Sequence, residues 1–275
     1  MSMRFANRFD GQVALLTGSA ATNKHELMGF GGATVWRFLE EGGKGVVITD
    51  VQDEIGEKSA LQLREAGHDA IYLHLDVTEE EEWKTVVEAT MKHFGRLDIL
   101  VNIAGILDPK SILEIEPAVW KKTMEISTVG IFFGTRAVAS SMEKSGGGSI
   151  INLASMAAKQ GSGSYGSAYS FSRGGMHNFS MSSALQLSHL GIRVNTIMPG
   201  WVHTPFTDYL YSDPEQSKYR TDRVPLRRWG KPDDIAGGIL FLASEDASYM
   251  TGAELLMDGG VSAGSVRPAN PKASQ

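Results

Sequence analysis

Short, almost uninterrupted apolar runs recur along this chain with longer amphipathic stretches between them. They are "QVALLT" (12–17), "GVVITD" (45–50), "AIYLHLDV" (70–77), "LDILVNIAG" (97–105), "GSIINLAS" (148–155), "IRVNTIMPG" (192–200) and "AELLM" (253–257). Most lack the polar alternation of a strand with one wet face, so they read as strands covered on both sides, as in a parallel sheet. The spacers read as helices. In "TEEEEWKTVVEATMKHFG", Trp83, Val86, Val87, Met91 and Phe94 share one face. Thr78 and Glu81 stand at capping-box spacing, and Gly95 suits the C-terminal cap. Glu79 to Glu82 fall at that helix's positive end, where they read as a stabilised, solvated terminus rather than a metal site. Such alternation specifies an α/β fold, a doubly wound parallel sheet of about seven strands with helices on both faces. No linker, repeat or low-complexity segment divides residues 1–275, which are expected to form one domain. The ends, 1–8 and 265–275, have little to bury and are expected to be flexible tails.

Composition excludes several functions. Lys+Arg 26 against Asp+Glu 32 gives a net charge of −6, with no basic block to track a phosphate backbone, so nucleic acid is not an expected partner. The absence of cysteine removes thiolate nucleophiles, disulfides and Cys-ligated zinc. His177 and His203 have no partners at metal-ligand spacing, and no metal site is expected. The apolar run Val13 to Leu16 is shorter than the roughly 7–15 residues of a signal core, and nothing approaches the ~20 residues of a membrane span. A soluble, cytoplasmic protein without a membrane partner is expected.

Open parallel sheets bind ligands beyond the carboxyl ends of their strands. The first strand runs into "TGSAATNKHELMGFGGATVWRFLEEGG", where Gly29, Gly31 and Gly32 enter a helix, a turn in which a pyrophosphate can approach backbone N–H groups. Asp50 closes the second strand, where a carboxylate accepts ribose hydroxyls and repels a 2′-phosphate, and Asp76 with Val77 closes the third, placed to meet an adenine. Taken singly, each aspartate could equally cap a turn. Their shared position at successive strand ends favours nucleotide binding.

In these features the sequence resembles the classical short-chain dehydrogenase/reductase superfamily from about Arg8 to Gly264. The resemblance rests on "TG…GFG" after the first strand, "NIAG" (102–105) after the fourth, a serine and a tyrosine at family spacing (Ser155, Tyr169), and "PGWVHTP" (199–205) after the sixth, and the C-terminal third is also similar. It implies a Rossmann-like domain and an NAD-dependent oxidoreductase interconverting a secondary alcohol and a ketone. Tyr169 would be the general acid/base, and Ser155 would hydrogen-bond the same substrate oxygen. Gly18, Gly29, Gly31, Asp50, Asp76, Val77, Asn102, Ala104, Gly105, Pro199, Gly200, Val202 and Thr204 would serve the cofactor, with Tyr169 and Arg173 at its nicotinamide end. The resemblance also implies a homotetramer.

Three departures stand out. Arg173 occupies the position of the family's lysine, Ser127 that of its helix-borne asparagine, and "AATNKHELM" lengthens the glycine-rich loop. Bringing a tyrosine from pKa ~10 to ~7.5 takes about 3.4 kcal/mol, and a unit charge at ~5 Å in a dielectric of ~20 supplies roughly 3 kcal/mol. Arginine carries that charge as well as lysine does but cannot lend a proton. Arg173 is thus expected to activate Tyr169 and hold the ribose, while Ser127 takes the asparagine's place in the proton relay. Tyr165 is a rival for the acid/base role, less favoured because no cation stands four residues beyond it.

Residues 203–228 read as an amphipathic lid, with Phe206, Tyr209, Tyr211 and Tyr219 packing it down and Arg220 and Arg223 expected at its surface. Residues 106–111 and 156–166 would form the other walls, with a mobile rim at 161–167. Lys24 in the longer loop either neutralises a phosphate or folds away with its segment. Two other readings stay open: non-redox chemistry on the same fold, as in a cyclase, lyase or isomerase, and a non-catalytic nucleotide-binding protein.

Overall fold

A computed structural model of the chain describes residues 7–161 and 166–264. Strands and helices alternate as β1 (Val13–Thr17), α1 (Phe30–Glu40), β2 (Gly45–Asp50), α2 (Asp53–Glu65), β3 (Ala70–His74), α3 (Glu80–Phe94), β4 (Ile99–Asn102), α4 (Pro117–Met124) and α5 (Gly130–Lys144). They continue as β5 (Gly148–Leu153), α6 (Ser167–Leu187), β6 (Ile192–Pro199), α7 (Asp208–Tyr211), α8 (Pro214–Thr221), α9 (Pro232–Ala243) and β7 (Glu254–Met257). All strand pairs are parallel, in the order β3-β2-β1-β4-β5-β6-β7.

The burial of each strand follows its place in that order. β1 and β4 are buried along their whole length, whereas β3 and β7, at the two edges, alternate between covered and open positions. On one face Val35, Phe38, Leu63 and Ile239 of α1, α2 and α9 join the core, and on the other Trp83, Val87, Val138 and Ala184 of α3, α5 and α6 do so. Each such buried side chain contributes about 1.5–3 kcal/mol against exposure.

Local details depart from expectation at two places. Thr78 does not cap α3: its hydroxyl donates to Asp76 Oδ1 at 2.8 Å, and the helix starts after Glu79. The N-cap position falls one residue later, on Glu79, and Glu82 reaches back to accept from Asp76 N at 2.6 Å. Gly95 does end α3 in the left-handed conformation at φ 78°. Arg8, expected in a loose tail, is pinned instead, donating to Asp246 Oδ2 at 2.8 Å and Ser244 Oγ at 2.9 Å. Of the expected tails, 1–6 and 265–275 lie outside the described residues, as do the rival Tyr165 and most of the expected mobile rim.

The lengthened loop starts at the sheet's carboxyl edge, where Ala21 lines a cleft, and its outer part packs against α1 and α2. Trp36 Nε1 donates to Thr22 O at 2.6 Å, and Ser59 Oγ on α2 donates to Ala20 O at 2.5 Å. Lys24 lies 3.9 Å over the Trp36 ring and pairs with Glu40 at 2.6 Å, so of its two expected placements the structure adopts the outward one.

Candidate active site

The strand order reverses direction between β1 and β4, and the two strand ends diverge there into a cleft of about 570 Å³, ample for a cofactor-sized ligand. Thr17 Oγ1 ties the two ends together, accepting from Ile103 N at 3.0 Å and Ala104 N at 3.2 Å. Gly18 follows at φ +60°, and a Cβ there would stand 2.8 Å from Ala104 Cα, so both conformation and space require glycine.

The start of α1 opens onto this floor. Gly29, its N-cap, lines the cleft, provides no side-chain cap, and would meet nothing within 4 Å if it carried a Cβ. No acidic residue occupies the helix's first turn, so its free N–H groups present a partial positive charge. Gly31 packs inward, with a Cβ position 2.6 Å from Ser19 Cβ, and shapes the turn without lining the cleft.

Asp50, Gln52, Asp76 and Val77 line one end of the cleft. Asp50 Oδ1 accepts from Val51 N at 2.9 Å and Gln52 N at 3.2 Å, while Oδ2 accepts from Ala20 N at 3.1 Å. That carboxylate is thereby held in one orientation. An uncapped helix end, a glycine floor and an oriented carboxylate form a donor and acceptor set that fits the pyrophosphate and ribose of a dinucleotide.

Ser155, Tyr169 and Arg173 line the other end, with Pro199, Gly200, Val202 and Thr204 beside them. Ser155 follows β5, and its Oγ accepts from Ala157 N at 3.2 Å, which aims the hydroxyl. Tyr169 and Arg173 share a face of α6 as their spacing requires, with the guanidinium carbon 4.8 Å from the centre of the tyrosine ring. Arg173 is only 3 % exposed. Its Nη1 donates to Leu153 O at 2.8 Å, and Nη2 lies so close to Gly105 that a Cβ there would stand 2.4 Å from it. The arginine is therefore anchored to the end of β5 and held against Gly105. Ser127 is fully buried in a π-helical turn, Glu125–Val129, between α4 and α5. Its Oγ and Arg173 Nε are buried without a hydrogen-bond partner among the described residues.

Asn102, read from sequence as a cofactor residue, does not line the cleft. Its amide donates to Asn152 Oδ1 at 2.8 Å and Asn152 donates to Ser180 Oγ at 2.9 Å, a buried tie from β4 through β5 to α6. The remaining cleft wall is largely apolar, with Ile106, Leu107, Ala154, Trp201, Phe206 and Leu210, and carries Lys122 and Thr207 as its polar members. Among the described residues of 156–161 none lines it. Within the lid, Arg220 is buried rather than solvated, donating to Gln216 Oε1 at 2.8 Å, whereas Arg223 stacks on Tyr219 at 3.5 Å. His203 bonds Asp208 at 2.8 Å and stacks on Tyr211, and His177 pairs with Glu254 at 3.2 Å. No cluster of three or more His, Cys, Asp or Glu side chains able to hold a metal occurs among the described residues.

Fold and cleft together define an α/β protein of the dinucleotide-binding class. The family model described as enoyl-(acyl carrier protein) reductase matches residues 26–262. The chain is 39 % identical over 259 residues to the 2,5-dichloro-2,5-cyclohexadiene-1,4-diol dehydrogenase LinX of Sphingobium indicum, covering 94 % of this chain and 99 % of that protein. It is 37 % identical to the 3-alpha-(or 20-beta)-hydroxysteroid dehydrogenase of Mycobacterium tuberculosis, with 94 % and 92 % covered. Among solved structures it resembles a gluconate 5-dehydrogenase of Burkholderia cenocepacia in complex with NADP and tartrate, at TM-score 0.86 and 29 % identity, with 94 % and 98 % covered. The chain belongs to the short-chain dehydrogenase/reductase superfamily, oxidoreductases that use a nicotinamide cofactor and act on small molecules. No helix among the described residues is long and apolar enough to cross a membrane.

Proposed function

We propose that this protein is an NAD(H)-dependent dehydrogenase interconverting an apolar, cyclic secondary alcohol and its ketone, with Tyr169 as general acid/base. One observation carries the reading: Ser155, Tyr169 and Arg173 line the same cleft as Asp50 and the open end of α1. Bound there, the nicotinamide supplies or accepts the hydride. Tyr169 takes the hydroxyl proton during oxidation and returns it during reduction, and Ser155 hydrogen-bonds the same substrate oxygen. The Arg173 guanidinium stabilises negative charge on the neighbouring phenol. Ser127 Oγ and Arg173 Nε, each with unused hydrogen-bonding capacity, would hold water for the proton's onward path.

Gly18, Gly29, Ala104 and Gly105 would serve the cofactor at the cleft floor, and Pro199, Gly200, Val202 and Thr204 its nicotinamide half. Asp50 would bond the adenosine ribose hydroxyls and repel a 2′-phosphate, making NAD the preferred cofactor. The apolar wall favours a ring substrate over a polyol, in keeping with the names of the curated relatives. The same reading includes a cytoplasmic homotetramer.

The test is a pair of fluorescence titrations with NADH and NADPH, followed by turnover assays on cyclohexanol, cyclopentanol and gluconate. Preferential NADH binding with turnover of the cyclic alcohols is expected. Binding of neither nucleotide, or turnover of gluconate alone, would overturn the proposal.

A further inference from the structure

At the adenosine end of the cleft one histidine sits among four carboxylates. β2 and β3 pair so that Asp50 stands opposite His74, the last residue of its strand. His74 Nδ1 bonds Asp53 Oδ1 at 2.7 Å, at the start of α2, and its Nε2 lies 3.9 Å from Glu82 Oε2 on α3. Glu82 in turn accepts from the backbone of Asp76, which lines the cleft. Tyr72, two residues earlier on β3, donates to Asp53 Oδ1 at 2.8 Å and to the carbonyl of Asp50 at 2.6 Å. His74 therefore bonds Asp53, approaches Glu82, and stands beside Asp50 and Asp76 through strand pairing and the backbone contact of Glu82. Among the described residues it is the one side chain able to carry positive charge that bonds into this set. Val51 and Gln52, which follow Asp50, supply no cation.

We infer that His74 is a specificity-determining residue whose protonation state sets how strongly this site rejects a 2′-phosphate, so that the preference for NAD over NADP steepens as pH rises. The inference rests on the proposed NAD reading and deepens it. With the imidazole charged, one positive group partly offsets Asp50, Asp53, Asp76 and Glu82. When it is neutral that offset disappears, and the collar repels a phosphate dianion more strongly while the uncharged ribose hydroxyls of NAD are little affected. Asp53, Glu82 and Asp76 all hold the imidazole's pKa above its ordinary value, with the Asp53 hydrogen bond the largest cause and partial burial opposing it. The other titratable groups of the cluster, Asp50 and Glu57, act on Tyr72, whose phenol is pushed well up by burial and by Asp53. Tyr72 therefore remains a neutral donor while His74 titrates.

A unit charge acting on a phosphate dianion across about 10 Å at water-like dielectric changes affinity roughly fourfold at low salt, and less as salt screens it. The test measures NADH and NADPH dissociation constants from about pH 6 to about pH 9 for wild type, His74→Gln and His74→Lys. A phosphate monoester itself gains charge near pH ~6, equally in all three proteins, so the comparison is between profiles. The glutamine variant, always neutral, is expected to show the strong NADPH rejection at every pH. The lysine variant, always charged, is expected to show the weaker rejection, and wild type should cross from the second to the first. Parallel profiles for the three proteins, with NADH still preferred, would overturn the role of His74 and leave the NAD reading standing. Equal binding of NADH and NADPH throughout would overturn both.

Discussion

At the Tyr169 end of the cleft, the residue whose behaviour differs most from its sequence context is Arg173. Its spacing from Tyr169 announced a shared helix face, and the ring-to-guanidinium distance of 4.8 Å bears that out. Nothing local announced the bond to Leu153 O or the approach to Gly105, because both partners lie on other elements. Arg173→Lys keeps the charge but loses the planar fork, and is expected to retain turnover while costing about 1 kcal/mol of stability by chemical denaturation. Arg173→Met removes the charge and leaves the Leu153 carbonyl unpaired. It should lower kcat at least ~10-fold and cost about 1–3 kcal/mol. Equal turnover in all three proteins would show that the guanidinium has no part in the chemistry. Ser155 and Tyr169 were legible because a fixed spacing carries them. Asn102 was not, since the cross-strand tie that removes it from the cleft is formed by Asn152, fifty positions away.

Among the elements, the lengthened loop and the α2–β3 junction show how far local pattern reaches. The loop's polar composition left its direction open, and Trp36, Ser59 and Gln62 on two helices decide it. Lys24 faces Trp36 and pairs with Glu40, and both members of that ion pair are well exposed, so Lys24→Ala should cost no more than ~1 kcal/mol and leave NADH affinity unchanged. Weakened NADH binding in that variant would place Lys24 near a phosphate after all. The His74–Asp53 bond joins β3 to α2, and its two partners titrate in opposite directions. Asp53 is held below its ordinary range chiefly by His74, so its contribution is present above the unfolded value near 3.8 and is lost as pH falls further. His74 is held above its ordinary 6.5, so its contribution is complete below that value and is lost as pH rises through the higher folded value. Thermal midpoints followed upward from neutral pH should therefore decline more in wild type than in His74→Gln. Identical declines would assign the alkaline limb to other groups. Spacing rules could not find this pair, which joins the end of a strand to the start of a preceding helix.

For the whole molecule, the fold was the most legible property, because seven apolar runs, most without polar alternation, separated by helical spacers admit few arrangements other than a parallel sheet with its ligand at the carboxyl edge. Assembly was not legible in the same way. Phe171 and Leu185 on α6 are 63 % and 80 % exposed, and Phe132 on α5 is also open. Sedimentation equilibrium is expected to give a species four times the 29.8 kDa chain, and Leu185→Glu is expected to dissociate it. A monomer at micromolar concentration would contradict the proposed tetramer. The central claim is that one cleft joins nucleotide binding to proton transfer at Tyr169, and it is tested most directly by comparing Tyr169→Phe with wild type in NADH binding and alcohol-dependent NADH formation. The account predicts an unchanged NADH dissociation constant with kcat reduced at least ~100-fold; undiminished turnover in the phenylalanine variant would contradict it.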